Sequence, residues 1–396
     1  MSDIDSALFH DPSNTGGGHF VKEMELMRSF VEKGIETYFV SPAGFDAVKR
    51  VEHRPHLTTS IGYGVEFLIH LVSVFYTLLI LRPDRFVPFN TFGGFMGGII
   101  STIIPTRTVL FVRGDTYRGK ALTGQFKYRL LKKAFTALEW VTFRTVDRIV
   151  FISEHNRRMM LERTGLDLKD VDTVVLYNDV YTDRVKDQLE NKSKDLGEGP
   201  IVGFAGEFPA NRGKGTIDLI DAVAIVEQEF PDLQLYLLGD GQNLSAIQDK
   251  AAEHGISERV HTPGWVDDPI NYMMAFDLYV LPSYHEGLGN SLLEALACDT
   301  PIAGSDIGGI PEVVYDREYL FEARNPSAIA EVLRNVFDSK RSYERALKNA
   351  QSRRANFDFD WTENAHQIVV ATKRPQSDRI PDVPIPDQLG KLHADA

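Results

Sequence analysis

The chain has 396 residues, of which 43% are hydrophobic and 25% are charged, and its formal net charge is −13 at pH 7. These proportions are typical of a soluble globular protein, and the length favours two domains over one. The acidic excess argues against a nucleic-acid partner, because non-specific binding needs a basic surface. The single cysteine, Cys298, excludes an internal disulfide and favours a reducing compartment, and we interpret it as a buried apolar filler.

The N-terminus, "MSDIDSALFHD", is acidic and predicts no signal peptide. The most apolar segment, Val65–Leu81, is shorter than the roughly 20 residues that a spanning helix needs. Its polar members Glu66, His70, Ser73 and Thr77 form one stripe of a helix. We therefore expect a cytoplasmic protein whose helix is nearly buried in a domain or touches the cytoplasmic face of a membrane.

Short apolar runs alternate with helical patterns through the first half, which predicts a βαβ architecture. A strand and Gly-rich turn at "SALFHDPSNTGGG" precede a helix at "HFVKEMELMRSFVEKG". Further strands are predicted at "IETYFVSP", "RFVPFN", "TVLFVRGD", "RIVFIS" and "VDTVVLYNDV". Between two of them, "TFGGFMGGIISTII" predicts a helix packed tightly on a sheet. Residues 1–182 are therefore predicted to form an N-terminal Rossmann-like domain.

A second alternation follows Asp183–Pro200, which has little apolar content and is predicted to be a linker. Strands at "PIVGFAGEF" and "LQLYLLGDG" and helices at "TIDLIDAVAIVEQEFP" and "LSAIQDKAAEHG" predict a C-terminal Rossmann-like domain over residues 201–355. The tail, residues 374–396, is rich in Pro and Asp and is predicted to be disordered. The fold class is α/β, with two domains.

The stretch "YHEGLGNSLLEALAC" carries the clearest chemical signal. Glu286 follows the strand "LYVLPS", at the sheet edge where α/β proteins bind ligands. Gly287 and Gly289 let the backbone approach a ligand closely. A helix is predicted to begin at Asn290 or Ser291, and its free N–H groups and dipole suit a diphosphate.

Glu294 lies one turn into that helix, and helical side chains lean toward the helix N-terminus. We therefore expect its carboxylate to point toward the same ligand as that of Glu286. The two carboxylates would accept hydrogen bonds from hydroxyls on either side of a phosphate group, as on a sugar and a ribose. The alternative is that Ser291 and Glu294 form a capping box, which serves only the helix backbone.

The longer stretch "YHEGLGNSLLEALACDTPIAGSDIGGIPEVV" resembles the hallmark of glycosyltransferase family 4, whose members are retaining, nucleotide-sugar-dependent enzymes. The resemblance implies the GT-B fold, in which two Rossmann-like domains face each other across a cleft. It also implies that Glu286 contacts the donor sugar and Glu294 the ribose. The rest of the implied donor loop is Leu288, Gly289, Asn290 and Ser291.

Two basic residues are implied at the donor diphosphate. The stretch "GFAGEFPANRGKGTIDLIDA" resembles the Gly…Lys-Gly element of the family, which implies this role for Lys214 and Arg212. The chain departs from the family at Glu207, where relatives usually carry Arg, and its stretch before Lys214 is longer. A solvated loop charge is the alternative for both basic residues.

The N-terminal half carries further implied contacts. "NTGGGHF" resembles the family's glycine turn, which places Gly17 and Gly18 at the phosphates and the acceptor cleft. His19 follows and could donate to phosphate or acceptor, or be a surface histidine. In "LFVRGDTY", Arg113 stands near the usual place of a donor-sugar histidine, and Asp115 could orient an acceptor hydroxyl. A local salt bridge is the alternative for Arg113 and Asp115.

The segment "YRGKALTGQFKYRLLKKAF" is basic on an acidic protein, so it could dock on anionic lipid head groups or form a solvated helix face. Its basic residues are Arg118, Lys120, Lys127, Arg129, Lys132 and Lys133. "FDFDWTENAHQIVVATK" resembles the last helix of the family, which implies that residues 356–373 cross back to the first domain with Trp361 as an apolar anchor.

The implied function is transfer of a sugar, with retention, from a nucleotide-sugar donor to a hydroxyl of a glycan or lipid-linked acceptor. Lys214 or Arg212 would stabilise the leaving diphosphate together with the helix N-terminus, and Glu286 would position the donor sugar. We find nothing that resembles an Asp-x-Asp metal site, so we expect no metal and no cofactor. The alternatives are a nucleotide-sugar 2-epimerase, which forms product without an acceptor, and a non-catalytic sugar-nucleotide-binding subunit.

Overall fold

The computed structural model describes residues 4–10, 18–40, 49–50, 72, 74–114, 126–181, 183–210, 213–372 and 379–381. The chain forms two compact units. The first unit runs to Tyr177 and includes a return segment that begins at Asp360, and the second unit runs from Asn178 to Phe359. Each unit is an α/β layer structure, as predicted.

The strands are β1 (Ser6–His10), β2 (Glu36–Val40), β3 (Lys49–Arg50), β4 (Arg85–Pro88), β5 (Arg107–Val112), β6 (Arg148–Phe151), β7 (Thr173–Leu176), β8 (Ile201–Ala205), β9 (Gln234–Leu238), β10 (Val260–Gly264), β11 (Leu278–Leu281), β12 (Ile302–Ser305), β13 (Leu320–Phe321) and β14 (Arg379–Ile380). The helices are α1 (Gly18–Glu32), α2 (Thr91–Ile100), α3 (Phe126–Thr145), α4 (Glu154–Thr164), α5 (Asp183–Leu189), α6 (Thr216–Val226), α7 (Leu244–Glu253), α8 (Pro269–Met273), α9 (Asn290–Ala297), α10 (Ile310–Val314), α11 (Pro326–Phe337), α12 (Lys340–Asn356) and α13 (Trp361–Val370). Residues 74–81 are also helical, and single 3-10 turns lie at Ser257–Arg259 and Arg317–Tyr319.

The sheet of the first unit has the strand order β14-β7-β6-β5-β4-β1-β2-β3, and its pairs are parallel. The sheet of the second unit has the order β10-β9-β8-β11-β12-β13, also with parallel pairs. In both sheets the order reverses beside the first strand of the unit, which is the switch point where α/β proteins bind ligands. Both units are therefore Rossmann-like.

Helix α2 is packed tightly, as the glycines of "TFGGFMGGII" predicted. A Cβ atom on Gly97 would lie 2.5 Å from Oγ1 of Thr108, on the neighbouring strand β5. A Cβ atom on Gly98 would lie 2.1 Å from Oγ1 of Thr145, on helix α3. The glycines therefore bring α2 against the sheet on one side and against α3 on the other.

Helix α13 packs in the first unit, with Trp361 and Ile368 buried. Its last carbonyl groups are bonded by arginines of the sheet: Nε of Arg85 donates to the carbonyl of Val369 at 2.9 Å, and Nη1 of Arg148 donates to that of Ile368 at 2.9 Å. These bonds satisfy carbonyls that lack a partner inside the helix. The return helix is thus fixed by buried hydrogen bonds as well as by Trp361.

Two segments differ from their predicted states. The predicted linker begins with helix α5, in which Val185 is buried and Nε2 of Gln188 donates to the carbonyl of Asp267 at 3.1 Å. One buried valine among charged residues was too weak a pattern to predict this helix. The predicted disordered tail contains β14, which pairs with β7 over two residues and is too short to produce a periodic signal.

In the helix at 74–81, the predicted polar stripe is represented by Thr77, which faces the core. Thr77 is only 3% exposed, whereas Val72, Tyr76 and Ile80 are 61%, 62% and 58% exposed. The helix buries Thr77 because the side chains on either side of it pack into the apolar core of the first unit. Glu66, His70 and Ser73 lie outside the described residues. Within the described part of the chain, no helix has the length and apolar character needed to cross a membrane.

Candidate active site

An ion pair lies beyond the carboxyl end of β11 in the second unit. Nζ of Lys214 is 2.5 Å from Oε1 of Glu286, and Oγ of Ser283 donates to the same oxygen at 3.1 Å. The two charged side chains remain partly open to solvent. An ammonium group has three donors, so Lys214 can hold Glu286 and a phosphate oxygen together. The structure thus brings together two residues that are 72 positions apart in the sequence.

Tyr284 joins the loop of Glu286 to the turn of Lys214. Its backbone N–H donates to the carbonyl of Gly213 at 2.8 Å, and its hydroxyl donates to Oδ2 of Asp218 at 2.9 Å. The guanidinium carbon of Arg324 lies 4.7 Å from the centre of the Tyr284 ring. Burial raises the pKa of Asp218, and the hydrogen bond from Tyr284 acts in the opposite direction. The sequence reasoning missed these contacts, which are long-range and leave no local pattern.

The backbone of Glu286 lies directly against a second glycine turn. Gly308 has a φ of +61°, and a Cβ atom on it would lie 2.1 Å from the carbonyl oxygen of Glu286. The N–H of Gly309 donates to that same oxygen at 3.3 Å. Only glycine at 308 allows this approach without moving one of the two backbones.

Helix α9 begins at Asn290, one of the two predicted positions. Its N-cap residue is Gly289, with a φ of 92° and no side-chain capping bond. Ser291 is therefore inside the helix and cannot be the first residue of a capping box. The capping-box alternative is wrong, and the N-cap residue Gly289 makes no side-chain bond to the first turn of α9.

Tyr279 joins two strands of the second sheet. Its hydroxyl bonds to the carbonyl and the N–H of Ala205, each at 3.1 Å, which ties β11 to the end of β8. Burial raises the pKa of Tyr279, and the charges of Glu294 and Glu286 raise it further.

Other predicted donor-site residues have different positions. The side chain of Leu288 is buried, so Leu288 could face a ligand only through its backbone. Asn290 accepts a hydrogen bond from Nδ2 of Asn178 at 2.7 Å. Cys298 is a half-buried thiol whose pKa is raised to about 12, first by burial and then by Glu294 and Asp299, which agrees with an inert filler.

The structure describes fewer of the predicted site residues in the first unit. Gly17, Asp115 and Arg212 lie outside the described residues. Gly18 and His19 are the first two residues of α1. Arg113 follows β5 with its guanidinium carbon 5.2 Å from the centre of the Trp361 ring, which is a cation–π distance.

Trp265 is a candidate that the sequence reasoning missed. It follows β10 at the carboxyl edge of the second sheet, and its side chain is 68% exposed. The N–H of Gly239, which follows β9, donates to the carbonyl of Gly264 at 2.9 Å, so the ends of β9 and β10 are joined next to Trp265. An aromatic residue directly after a strand-ending glycine was the available signal.

Asp-x-Asp strings occur at residues 3–5, 170–172 and 358–360. Asp172 pairs with Arg148 at 3.0 Å, and Asp170 accepts from the backbone N–H of Asp167 at 3.1 Å. Asp360 accepts from the backbone N–H of Glu363 at 2.8 Å, as the N-cap of α13. These carboxylates therefore have structural partners. Across the described ranges, no three His, Cys, Asp or Glu side chains are grouped so that they could hold a metal ion.

The site lies in a segment of the chain that resembles known glycosyltransferases. Residues 185–353 match the sequence profile of Glycosyl transferases group 1. The chain is 36% identical over 131 residues to the lipopolysaccharide core biosynthesis glycosyltransferase LpsE of Rhizobium meliloti (strain 1021), covering 33% of this chain and 37% of that protein. It is 30% identical over 179 residues to a glycogen synthase of Mycobacterium tuberculosis (strain CDC 1551 / Oshkosh), covering 43% of each. The chain thus spans less than half the length of these curated relatives.

Solved structures resemble nearly the whole chain. The sucrose-phosphate synthase of Thermosynechococcus elongatus has a TM-score of 0.71 at 18% identity, covering 92% of this chain and 97% of that one. Anabaena Alr3699/HepE in complex with UDP has a TM-score of 0.71 at 18% identity, covering 92% and 98%. The fold is therefore GT-B, as predicted.

Proposed function

We propose that the protein is a retaining glycosyltransferase that moves a sugar from a nucleotide-sugar donor to an acceptor hydroxyl. The observation that carries this proposal is the Lys214–Glu286 ion pair beside helix α9, whose N-cap residue makes no side-chain bond to the first turn and which also bears Glu294. The site lies inside the segment that matches the profile of Glycosyl transferases group 1. HepE, one of the proteins with this fold, binds UDP.

In the proposed reaction, the donor diphosphate lies at the N-terminus of α9, where the amide groups of the first turn and the helix dipole favour negative charge. Lys214 neutralises the charge that develops as the bond from the sugar to the diphosphate breaks. Glu286 accepts a hydrogen bond from a sugar hydroxyl, and Glu294 accepts one from the ribose. Tyr284 holds the Lys214 turn and the Glu286 loop in register, through Gly213 and Asp218.

The mechanism that we propose needs no metal ion and no covalent intermediate on the protein. Lys214 and the α9 amide groups supply the positive charge that a divalent cation would otherwise provide. The leaving phosphate oxygen takes the proton of the acceptor hydroxyl. Retention follows from attack on the same face of the sugar that the diphosphate leaves.

The acceptor that we propose is a glycan or lipid-linked acceptor, in the assembly of a surface glycan, a polysaccharide or a glycoprotein glycan at the cytoplasmic face of a membrane. The support is the similarity to LpsE, a glycosyltransferase of lipopolysaccharide core biosynthesis.

Thermal stabilisation by nucleotides tests the donor site. We expect one of UDP, GDP and ADP to raise the melting temperature, and its sugar conjugate to raise it further. Glu294→Ala should weaken the nucleotide shift, whereas Glu286→Ala should remove only the additional shift from the sugar. Glu331→Ala, an exposed change on α11, is the matched control. If no nucleotide stabilises the wild-type protein, the donor site is wrongly assigned.

Product analysis tests the reaction. We expect product only when an acceptor is present, and the anomeric proton of the product should show the configuration of the donor by NMR. Product without an acceptor would indicate an epimerase, and inversion would contradict the retaining mechanism. The reaction should persist in the presence of EDTA.

A further inference from the structure

The first unit exposes several large apolar side chains on the helices that cover one face of its sheet. The right-handed crossovers of a parallel sheet place the helix at 74–81, α2 and α3 on the same face of the sheet. Of the eleven exposed large apolar side chains among the described residues, six lie on this layer. They are Val72, Tyr76, Ile80, Ile103, Phe135 and Trp140.

The helix at 74–81 is apolar on both of its sides. Val74 and Leu78 pack inward, in a core cluster with Phe86 of the sheet. Tyr76 and Ile80, four residues apart, project outward at 62% and 58% exposure. A surface helix normally has a polar outer face. This helix therefore has a second apolar face in addition to the one that forms the core.

The layer is continuous from the helix at 74–81 to α3. Ile100 and Ile104, on either side of the exposed Ile103, share the core cluster of Val74 and Leu78. At the other side of α2, the Phe92 and Phe135 rings form an edge contact with centroids 5.8 Å apart. The exposed side chains on the three helices thus belong to one surface, which we call the apolar layer.

The charge of the apolar layer is opposite to that of the whole chain. No charged residue occurs between positions 86 and 106 in the sequence, although the chain has a net charge of −13. Helix α3 has one acidic residue, Glu139, which is buried and accepts from Arg163 at 2.6 Å. Among the described side chains of that helix, the basic ones are Lys133 and Arg144, and both are exposed. Arg144 lies over the exposed Trp140, with its guanidinium carbon 5.3 Å from the centre of the ring.

We infer that the apolar layer is the surface by which the protein lies on an anionic lipid bilayer. Exposed apolar and aromatic side chains beside lysines and arginines have the composition of an interfacial membrane surface. A second copy of the chain is a poorer occupant, because two such surfaces would bring like charges together. This inference concerns the location of the protein and does not depend on the proposed donor chemistry.

Co-sedimentation of the full chain with vesicles tests the inference. We expect binding to vesicles that contain phosphatidylglycerol, weaker binding to vesicles of phosphatidylcholine alone, and loss of binding at high salt because the charge interactions are screened. The double variant Tyr76→Ser/Ile80→Ser should bind at least about tenfold more weakly, since it removes two exposed apolar groups. Lys133→Gln/Arg144→Gln should also bind about tenfold more weakly, since each basic residue near an anionic surface contributes to binding.

Matched controls distinguish binding through the apolar layer from non-specific hydrophobic binding and from the effects of misfolding. Leu168→Ser/Ile225→Ser removes two exposed apolar side chains outside the apolar layer and should bind like the wild type. Each variant should keep its melting temperature, since every substituted side chain is exposed. In a Trp265→Phe background, brominated lipid should quench the emission of Trp140.

The inference is overturned if the wild type does not bind anionic vesicles at low salt, or if the layer variants bind as well as the wild type. It is also overturned if light scattering shows a dimer that Tyr76→Ser/Ile80→Ser converts to a monomer, because a second copy would then cover the layer. None of these outcomes affects the nucleotide experiment, so the two proposals can fail separately.

Discussion

The two units share a strand order, but charged side chains near the carboxyl edges of their sheets have different surroundings. In the second unit, Lys214 and Glu286 form a pair that solvent can reach. In the first unit, Lys22 is buried on α1 and pairs with Glu25 at 2.9 Å. Its ammonium nitrogen also lies 5.6 Å from the centre of the Trp361 ring, on the return helix. A charged side chain in a pair that solvent can reach can also bind a ligand. A buried pair cannot, because separating it would leave a buried charge without its partner.

This difference shows why a repeated fold does not repeat a site. In the second unit, Gly308 and Gly309 pack against the backbone of the Glu286 loop. The side chains of Lys214 and Glu286 remain partly exposed to solvent. The first unit uses the glycines of α2 to bring helices and sheet together. Glycine is common to both units, but it packs against the Glu286 loop in one and between helices and sheet in the other.

The sharpest way to test the comparison is to remove the charge of Lys214. We expect Lys214→Ala to lower kcat by about 10²–10³-fold, the usual cost of losing one group that stabilises a developing negative charge. The melting temperature should change little, because the side chain is partly exposed. Steady-state kinetics with a saturating donor measures the effect.

Lys340→Ala, which removes a highly exposed lysine of the second unit, is the control and should leave kcat unchanged. An equal loss in both variants, or none in Lys214→Ala, would remove Lys214 from the reaction.

Much of the fold could be predicted from sequence, because strands and helices leave local patterns. The strand "LYVLPS", the glycines of α2 and the start of α9 at Asn290 all depended on neighbouring residues, and the structure agrees with each. The wrong predictions, at α5 and β14, arose where the local pattern was too weak or too short. Periodicity identified the stripe that contains Thr77, but it could not show which stripe would face the core.

The candidate site was predictable only in part, for the same reason. Glu286 and Glu294 lie within one short stretch, so the strand and helix around them fixed their expected relation. The contact of Lys214 with Glu286 and the bond of Tyr284 to Asp218 join distant parts of the chain, and no local pattern encodes such contacts. For Lys214, only the resemblance to a family supplied a role in advance.

A smaller effect is expected from the exposed tryptophans, one in each unit. Trp265 lies at the carboxyl edge of the second sheet, where it could stack on the base of the nucleotide. We expect Trp265→Ala to weaken nucleotide binding by about tenfold, since stacking of a base on an aromatic side chain contributes about 1–3 kcal/mol. Calorimetric titration of the nucleotide measures this change.

Trp140→Ala is the matched control, because it removes an exposed tryptophan of the first unit. It should leave nucleotide affinity unchanged. If both variants bind the nucleotide like the wild type, the base lies elsewhere on the second unit.

The last effect, on stability and not on binding or rate, is expected from His366, on the return helix of the first unit. Burial, and then the charge of Lys33, lower the pKa of His366 to about 4, whereas Glu363 acts in the opposite direction. Between pH 6.5 and 4 the unfolded chain takes up a proton that the folded chain does not. The free energy of unfolding should therefore fall as the pH falls through this range, by at most about 1.4 kcal/mol per pH unit, and should not change above it on account of His366.

His366→Gln removes this titration, so the variant should lose less stability on acidification than the wild type. Trp265→Phe provides a suitable background, because the remaining tryptophans, Trp140 and Trp361, both lie in the first unit and report on its unfolding. Parallel loss of stability in the two proteins would show that His366 is not the titrating group. A steeper loss in the wild type would show that the first unit uses its buried charges and histidine to hold the return helix, in contrast to the open pair of the second unit.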